Sequence, residues 1–280
     1  MDMENMSVSK LLLTMSPPVM LALLIQSIYN IADSFFVARY STEGLTALSI
    51  VYPVQLLITA LATGTGAGVN ILISRLDGMG ETEAQHDIIK SGLFLNMFHF
   101  LIFAFVGNIL ANAYFSLSTG NAVVKAQGIL YSRIIFSGSL GLFIESICTK
   151  VLQARGNMMI PMTAQVTGSV VNIVLDILLI FGAGPIPALG IRGAAIATVI
   201  GQWVAMVITL LAVMKKYSLR GTLKPEFCKQ IYANGIVPLA WVFHFIGLNA
   251  VWWTFPVTEI IASTTGILII MILHKQDSVL

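Results

Sequence analysis

Charge is the scarcest property of this 280-residue sequence: Asp, Glu, Lys and Arg together make up 10%, against 57% hydrophobic residues and a mean hydropathy of +0.88. A water-soluble core of this size needs no such excess of apolar residues, so an ordinary soluble enzyme is excluded. The net charge of +2 is scattered, and no Lys/Arg cluster is interleaved with aromatics, which excludes a nucleic-acid groove. Cysteine is nearly absent. Cys148 ends an apolar run and Cys228 lies in a polar connection, so neither a disulfide framework nor a four-ligand metal site can be built from them. A cleavable leader is also missing from the pattern: Asp2 and Glu4 oppose the single Lys10, and the apolar run that follows is too long for a signal-peptide core. It reads as a retained first span.

What the chain has instead is long apolar runs. Six match the thickness of a bilayer, at 11–37, 45–73, 91–113, 122–149, 161–181 and 190–214. The connections between them are short, which forces antiparallel neighbours. A basic stretch over 215–235 follows, with Leu219, Leu223, Phe227 and Ile231 at helical spacing, and reads as a cytoplasmic linker helix at the lipid surface. Beyond it the apolar character returns for too long a stretch to be one span. Gly247, Asn249 and Pro256 divide it into 236–252 and 255–273. The fold class is therefore all-α, a polytopic membrane helix bundle of about eight transmembrane helices. Its organisation is a six-helix lobe over 1–214, the linker over 215–235 and two terminal helices over 236–280. Eleven of the fifteen Lys and Arg residues fall on one side, including Arg75, Lys90, Lys150, Arg155, Lys215, Lys216 and Lys224. By the positive-inside rule that side is cytoplasmic, and both termini with it.

Polar residues inside spans each ask for a partner or a purpose, since an aspartate at a helix centre costs about 2.5–3.5 kcal/mol to insert. At about 100° per residue, Gln26, Asn30 and Asp33 share one face of the first span, with Tyr29 beside them. Asn172 and Asp176, four residues apart, stack on one face of the fifth. Such groups either hydrogen-bond neighbouring helices as packing contacts or form a site. If Asp33 and Asp176 face each other, like-charge repulsion favours one shared proton or cation, with Asn172 as a neutral ligand. Glu145 and Glu259 lie near span ends, where a side chain can snorkel. His99 has no second histidine at a metal-binding spacing and reads as an interior histidine. Gly64, Gly66 and Gly68 lack a preceding strand and a following Lys-Ser/Thr, so close helix packing explains them better than a phosphate loop.

Several motifs together resemble the multidrug and toxic-compound extrusion family. They are Ser-Pro-Pro and Ile-Tyr-Asn-Ile-Ala-Asp-Ser-Phe-Phe-Val-Ala-Arg-Tyr in the first span, and Ser-Arg-Leu-Asp-Gly-Met-Gly-Glu after the second. Leu-Gln-Ala-Arg-Gly-Asn-Met-Met-Ile-Pro-Met precedes the fifth, Val-Asn-Ile-Val-Leu-Asp lies within it, and Gly-Ile-Arg-Gly-Ala-Ala-Ile-Ala-Thr opens the sixth. The resemblance implies a cation-coupled antiporter of the bacterial inner membrane that exports amphipathic or cationic drugs. Its coupling ion is a proton or sodium, with no other cofactor and no further metal. On that pattern Asp33, Asn172, Asp176 and Thr198 form the ion site, Gln26, Tyr29 and Asn30 face the substrate cavity, and Pro18 is the point at which the first helix bends.

The same resemblance marks a departure. Members of the family have two six-helix lobes, and here most of the second is missing. The segment 231–238 looks like the entry to its first helix and 245–273 like the family's last, as an internal deletion would leave them. A non-transporting or regulatory membrane remnant and a flippase for lipid-linked substrates therefore stay open as alternatives. An intramembrane enzyme is not supported, because Asn172-x-x-x-Asp176 offers too few carboxylates. The expected partners are a small amphipathic or cationic molecule and membrane lipid. A homodimer would put both lobes in one orientation and leave the terminal spans to be accommodated.

Overall fold

In the computed structural model the described residues are 8–81, 83–182, 184–185, 187–217 and 221–246. They form α1 (Val8–Tyr40), α2 (Thr42–Met79), α3 (Glu83–Ile102), α4 (Asn108–Ser118), α5 (Ala122–Gly138), α6 (Leu140–Ala154), α7 (Met159–Phe181), α8 (Ile191–Lys216) and α9 (Pro225–Ile246). A π-helical turn, Phe103–Gly107, joins α3 to α4. The segments α1, α2, α3 with α4, α7 and α8 are each long and apolar enough to cross a membrane. The α5 and α6 pair, bent by 45°, makes a sixth when the two helices are taken as one span. The protein is thus an all-α bundle whose spans follow the expected order. Of the two terminal helices expected beyond 235, the second lies outside the described residues.

Local sequence explains where the helices start and stop. At the head of α2 the Ser41 hydroxyl accepts the Gly44 N–H at 3.0 Å, and Glu43 sits in the first turn where the helix dipole favours a negative charge. The far end closes at Gly80, whose φ of 76° lets its N–H reach back to the carbonyls of Leu76 and Asp77. Asn121 caps α5 in the same way, accepting from Val123 N–H at 2.9 Å and Val124 N–H at 3.3 Å.

Two clusters of buried side chains fill the bundle. One gathers Val37, Val51, Phe115, Tyr131, Phe143 and Ile180, and the other Val69, Ile88, Ile147, Leu152 and Ile231. Large apolar residues also face outward, with Leu117 89% and Ile109 73% exposed, as suits a surface solvated by lipid. The glycine run in α2 is helical and is used for packing. A Cβ at Gly66 would lie 2.8 Å from Lys150 Cγ, and one at Gly68 would run into the Ile231 backbone of α9.

At one end of the bundle the connecting motifs clasp each other. Arg155 Nε pairs with Asp77 Oδ2 at 2.7 Å, Gln85 donates to Asp77 Oδ1 at 2.6 Å, and Arg155 also donates to Gln85. The Arg155 guanidinium lies over the Tyr217 ring, 5.4 Å from its centre. Beside this, Lys224 pairs with Asp87 at 2.7 Å, and Thr222 N–H donates to the same carboxylate at 2.6 Å. The two loop motifs quoted above, far apart in sequence, thus share one ionic contact.

The linker differs from the sequence expectation. Instead of one surface helix over 215–235, α8 ends at Lys216, and α9 starts at Pro225 and runs unbroken to Ile246. The boundary expected at 235/236 therefore falls inside a helix. Proline suits a first helical position because its missing N–H has no partner to lose there. Ile231 is fully buried, and Gly68 and Gly235 let the α2 and α9 backbones meet, so this segment packs on α2 instead of lying on lipid.

Candidate functional site

The crossing of α7 and α8 builds the floor of the site. A Cβ on Gly168 would lie 2.7 Å from the Gly201 carbonyl oxygen, and one on Gly201 would lie 2.7 Å from that of Gly168. Only hydrogen fits between them, so the two backbones touch. One turn along α7 and three residues back along α8, this contact brings Asn172 level with Thr198, and their side chains meet at 3.4 Å. In the amide orientation its neighbours require, Asn172 Nδ2 donates to Asp176 Oδ2 at 3.3 Å and Asn172 Oδ1 accepts the Thr198 N–H at 3.1 Å. Asp176 itself has no exposed surface and lies behind Asn172, which with Thr198 borders a narrow crevice.

Helix α1 supplies the facing wall. Gln26, Tyr29, Asn30 and Asp33 all line a cavity of about 350 Å³, which Thr198 and Gln202 of α8 also border. The charges of Asp33 and Asp176 are within electrostatic reach of one another, and Tyr29 and Tyr131 sense both. Asp33 Oδ1 and Asp176 Oδ1 are buried and have no hydrogen-bond partner among the described residues. Two buried, under-partnered carboxylate oxygens beside an amide and a hydroxyl are a donor set for a proton or a hard monovalent cation. Among the residues lining this cavity the one charged side chain is Asp33, so its field attracts cations and repels anions.

A second, narrower crevice of about 60 Å³ adjoins the cavity and shares Gln26, Tyr29, Leu142, Thr198 and Gln202 with it. Its remaining lining includes Glu145 of α6, and Gln165, Ser169 and Asn172 of α7. The bend between α5 and α6 opens the space: Ser139 stands at the bend and lines the cavity, and Trp203 of α8 donates to the Gly138 carbonyl at 2.9 Å.

All seven side chains expected in the ion site and substrate cavity are thus in one neighbourhood. Pro18 lies inside α1, which runs as one helix from Val8 to Tyr40. Sequence reasoning missed the α2 and α5 contributions, Tyr52, Gln55, Thr59 and Tyr131. Gln55 Nε2 donates to the Tyr131 hydroxyl at 3.4 Å. A signal existed in α2, where Tyr52, Gln55 and Thr59 recur at helical spacing within an apolar run. Outside the site, the His99 ring nitrogen Nε2 lies 2.5 Å from the Tyr232 hydroxyl, the contact of an interior histidine.

A polar, acid-bearing cavity inside a polytopic bundle is the anatomy of a membrane transporter. A profile of the MatE family matches residues 18–178, and the chain belongs to that family. Over 199 residues it is 32% identical to a protein of Shewanella oneidensis named an FAD transporter, covering 71% of this chain and 44% of that one. It is 25% identical over 233 residues to the probable multidrug resistance protein NorM of Thermotoga maritima, covering 81% and 50%. Among solved structures it resembles the outward-facing conformation of a multidrug resistance MATE family transporter of the MOP superfamily. That match has a TM-score of 0.76 and 26% identity, over 81% of this chain and 51% of the other. The inward-facing conformation of such a transporter matches with a TM-score of 0.70 and 25% identity, over 78% and 52%. The chain spans about half the length of the relatives it matches.

Proposed function

We propose that this chain is the ion-coupling lobe of a cation-coupled antiporter that exports amphipathic or cationic small molecules across a bacterial inner membrane. Asp33, Asn172, Asp176 and Thr198 hold the coupling ion, a proton or sodium. Gln26, Tyr29 and Asn30 form the wall against which the exported molecule rests. The observation that carries this reading is the shared position of Asp33: it lines the substrate-sized cavity and lies within electrostatic reach of the buried Asp176. A cation entering at Asp33 and a cationic substrate in the cavity compete for one negative charge, which is the elementary requirement of exchange. The basic loops at the Arg155 and Lys224 end face the cytoplasm.

The test is export of a fluorescent amphipathic cation from proteoliposomes under an imposed proton or sodium gradient. Gradient-driven export that Asp33→Asn abolishes is expected. Absence of export by the wild-type chain under both gradients rejects transport by this chain alone. The Shewanella relative's name raises a flavin dinucleotide as an alternative cargo, and its phosphates would meet a cavity whose lining carries Asp33 and no cation. Competition by FAD in the same assay decides between the two, and no competition is expected.

A further inference from the structure

The small crevice leads somewhere specific. Glu145 lies nine residues before the Ala154 end of α6, about 14 Å along the helix, whereas Asp176 lies about 26 Å from the corresponding Met159 end of α7. On α7, Ser169 falls between these levels, about 15 Å from Met159, and Gln165 lies nearer that end still, at about 9 Å, so the crevice runs from the Asn172 and Thr198 side chains toward the end where Arg155 and the basic loops lie.

We propose that this crevice is a second station for the coupling ion, a cation stop at Glu145 through which the ion passes between the Asp33–Asp176 site and the basic-loop end. The proposal rests on the reading of that site as the ion-coupling one. Three observations carry it. First, the crevice is walled by oxygen donors of the right kind: the Glu145 carboxylate, the Ser169 and Thr198 hydroxyls, and the amides of Gln165 and Gln202. Second, Ser169 is 3% exposed and borders this space, and its hydroxyl has no hydrogen-bond partner among the described residues. Third, Glu145 is held in place: the Thr149 hydroxyl donates to its Oε1 at 2.5 Å, so the carboxylate does not have to snorkel outward.

The neighbouring charge makes the station a stop and not a sink. Lys150 Nζ is anchored on Gln153 Oε1 at 3.1 Å and lies within electrostatic reach of Glu145. That fixed positive charge opposes a long stay by a second cation, which shortens its residence. The ligand class is a small monovalent cation, Na⁺ or hydronium, recognised by the same oxygen set.

The experiment measures ion exchange by the purified full chain in nanodiscs, with radioactive Na⁺ in one arm and, in a sodium-free arm, protons followed by a pH dye after a pH jump. Glu145→Gln is expected to slow exchange of the bound ion about tenfold while changing equilibrium binding by less than about twofold. Ser169→Ala slows it by a smaller factor, and Glu145→Asp retains exchange close to wild type. Wild-type exchange rates for both ions in Glu145→Gln and Ser169→Ala, at unchanged melting temperature, overturn the station. Loss of equilibrium binding in folded Glu145→Gln also overturns it, because Glu145 would then be the main site. Asp33→Asn separates the two ideas: retained binding there removes the coupling site itself, whereas lost binding with normal exchange in Glu145→Gln removes only the station.

Discussion

Helices α7 and α8 meet backbone to backbone at Gly168 and Gly201, whereas the most apolar stretch of α1 has none of its residues buried. Each side carries one of the two carboxylates. Asp176 is set in a close-packed pair, with Asn172 and Thr198 ordered around it; Asp33 rides on a helix that, among the described residues, is buried only at Asp33 and Val37. A change of charge at the pair therefore acts on unequal partners. The floor resists displacement because close packing there leaves no room, and α1, mostly exposed, is the less constrained of the two.

That contrast is open to direct attack. The largest effect is expected from Gly168→Leu, which drives a side chain into the Gly201 carbonyl and should destabilise the protein by about 3 kcal/mol. The melting temperature of the detergent-purified protein measures it. A bulky residue on the outward face of α1, such as Leu24→Trp at a 57% exposed position, should by contrast leave the melting temperature nearly unchanged. If the two substitutions cost the same, the division into fixed floor and free wall is wrong.

Next in size is Asp33→Asn. It removes the charge that responds but none of the floor, so ion-dependent export should vanish while the fold keeps its melting temperature. Asp176→Asn should abolish export equally, and a difference between the two in residual ion binding would show which carboxylate dominates.

Arg155→Ala breaks the clasp between the α2–α3 and α6–α7 connections. Because Arg155 and Asp77 are each about one-third exposed, the loss should be only about 1 kcal/mol. A double-mutant cycle with Asp77→Ala isolates the pair. Smallest of all, Tyr131→Phe deletes one long hydrogen bond from Gln55 and should cost about 0.5 kcal/mol, with a detectable change in substrate affinity but not in ion dependence.

The parts of the site legible in the sequence were those written along one helix. Gln26, Asn30 and Asp33 repeat at helical spacing in an apolar run, and Asn172 and Asp176 stand one turn apart, so each pattern shows a face without reference to any other segment. Tyr131 carries no such mark. Its neighbours in α5 do not form a polar stripe, and it belongs to the site because the bend at Ser139 and the α2 packing turn it toward Gln55. The linker helix expected at the lipid surface over 215–235 departs for a related reason: basic and apolar residues at helical spacing suit such a surface, but Gly68 and Gly235 let this segment pack on α2 instead.

By itself, then, the sequence determined that the protein lives in a bilayer, in what order its spans cross, which end gathers the basic loops, and which residues are polar at a cost. These follow from hydropathy and helical period, properties of each segment alone. Only the tertiary structure decided that Asp176 lies beneath Asn172, that Asp33 borders an open cavity, and that a crevice continues to Glu145. Those facts depend on where helices cross, and the crossings are set by which glycines allow two backbones to touch, a condition that belongs to pairs of segments and to neither one separately.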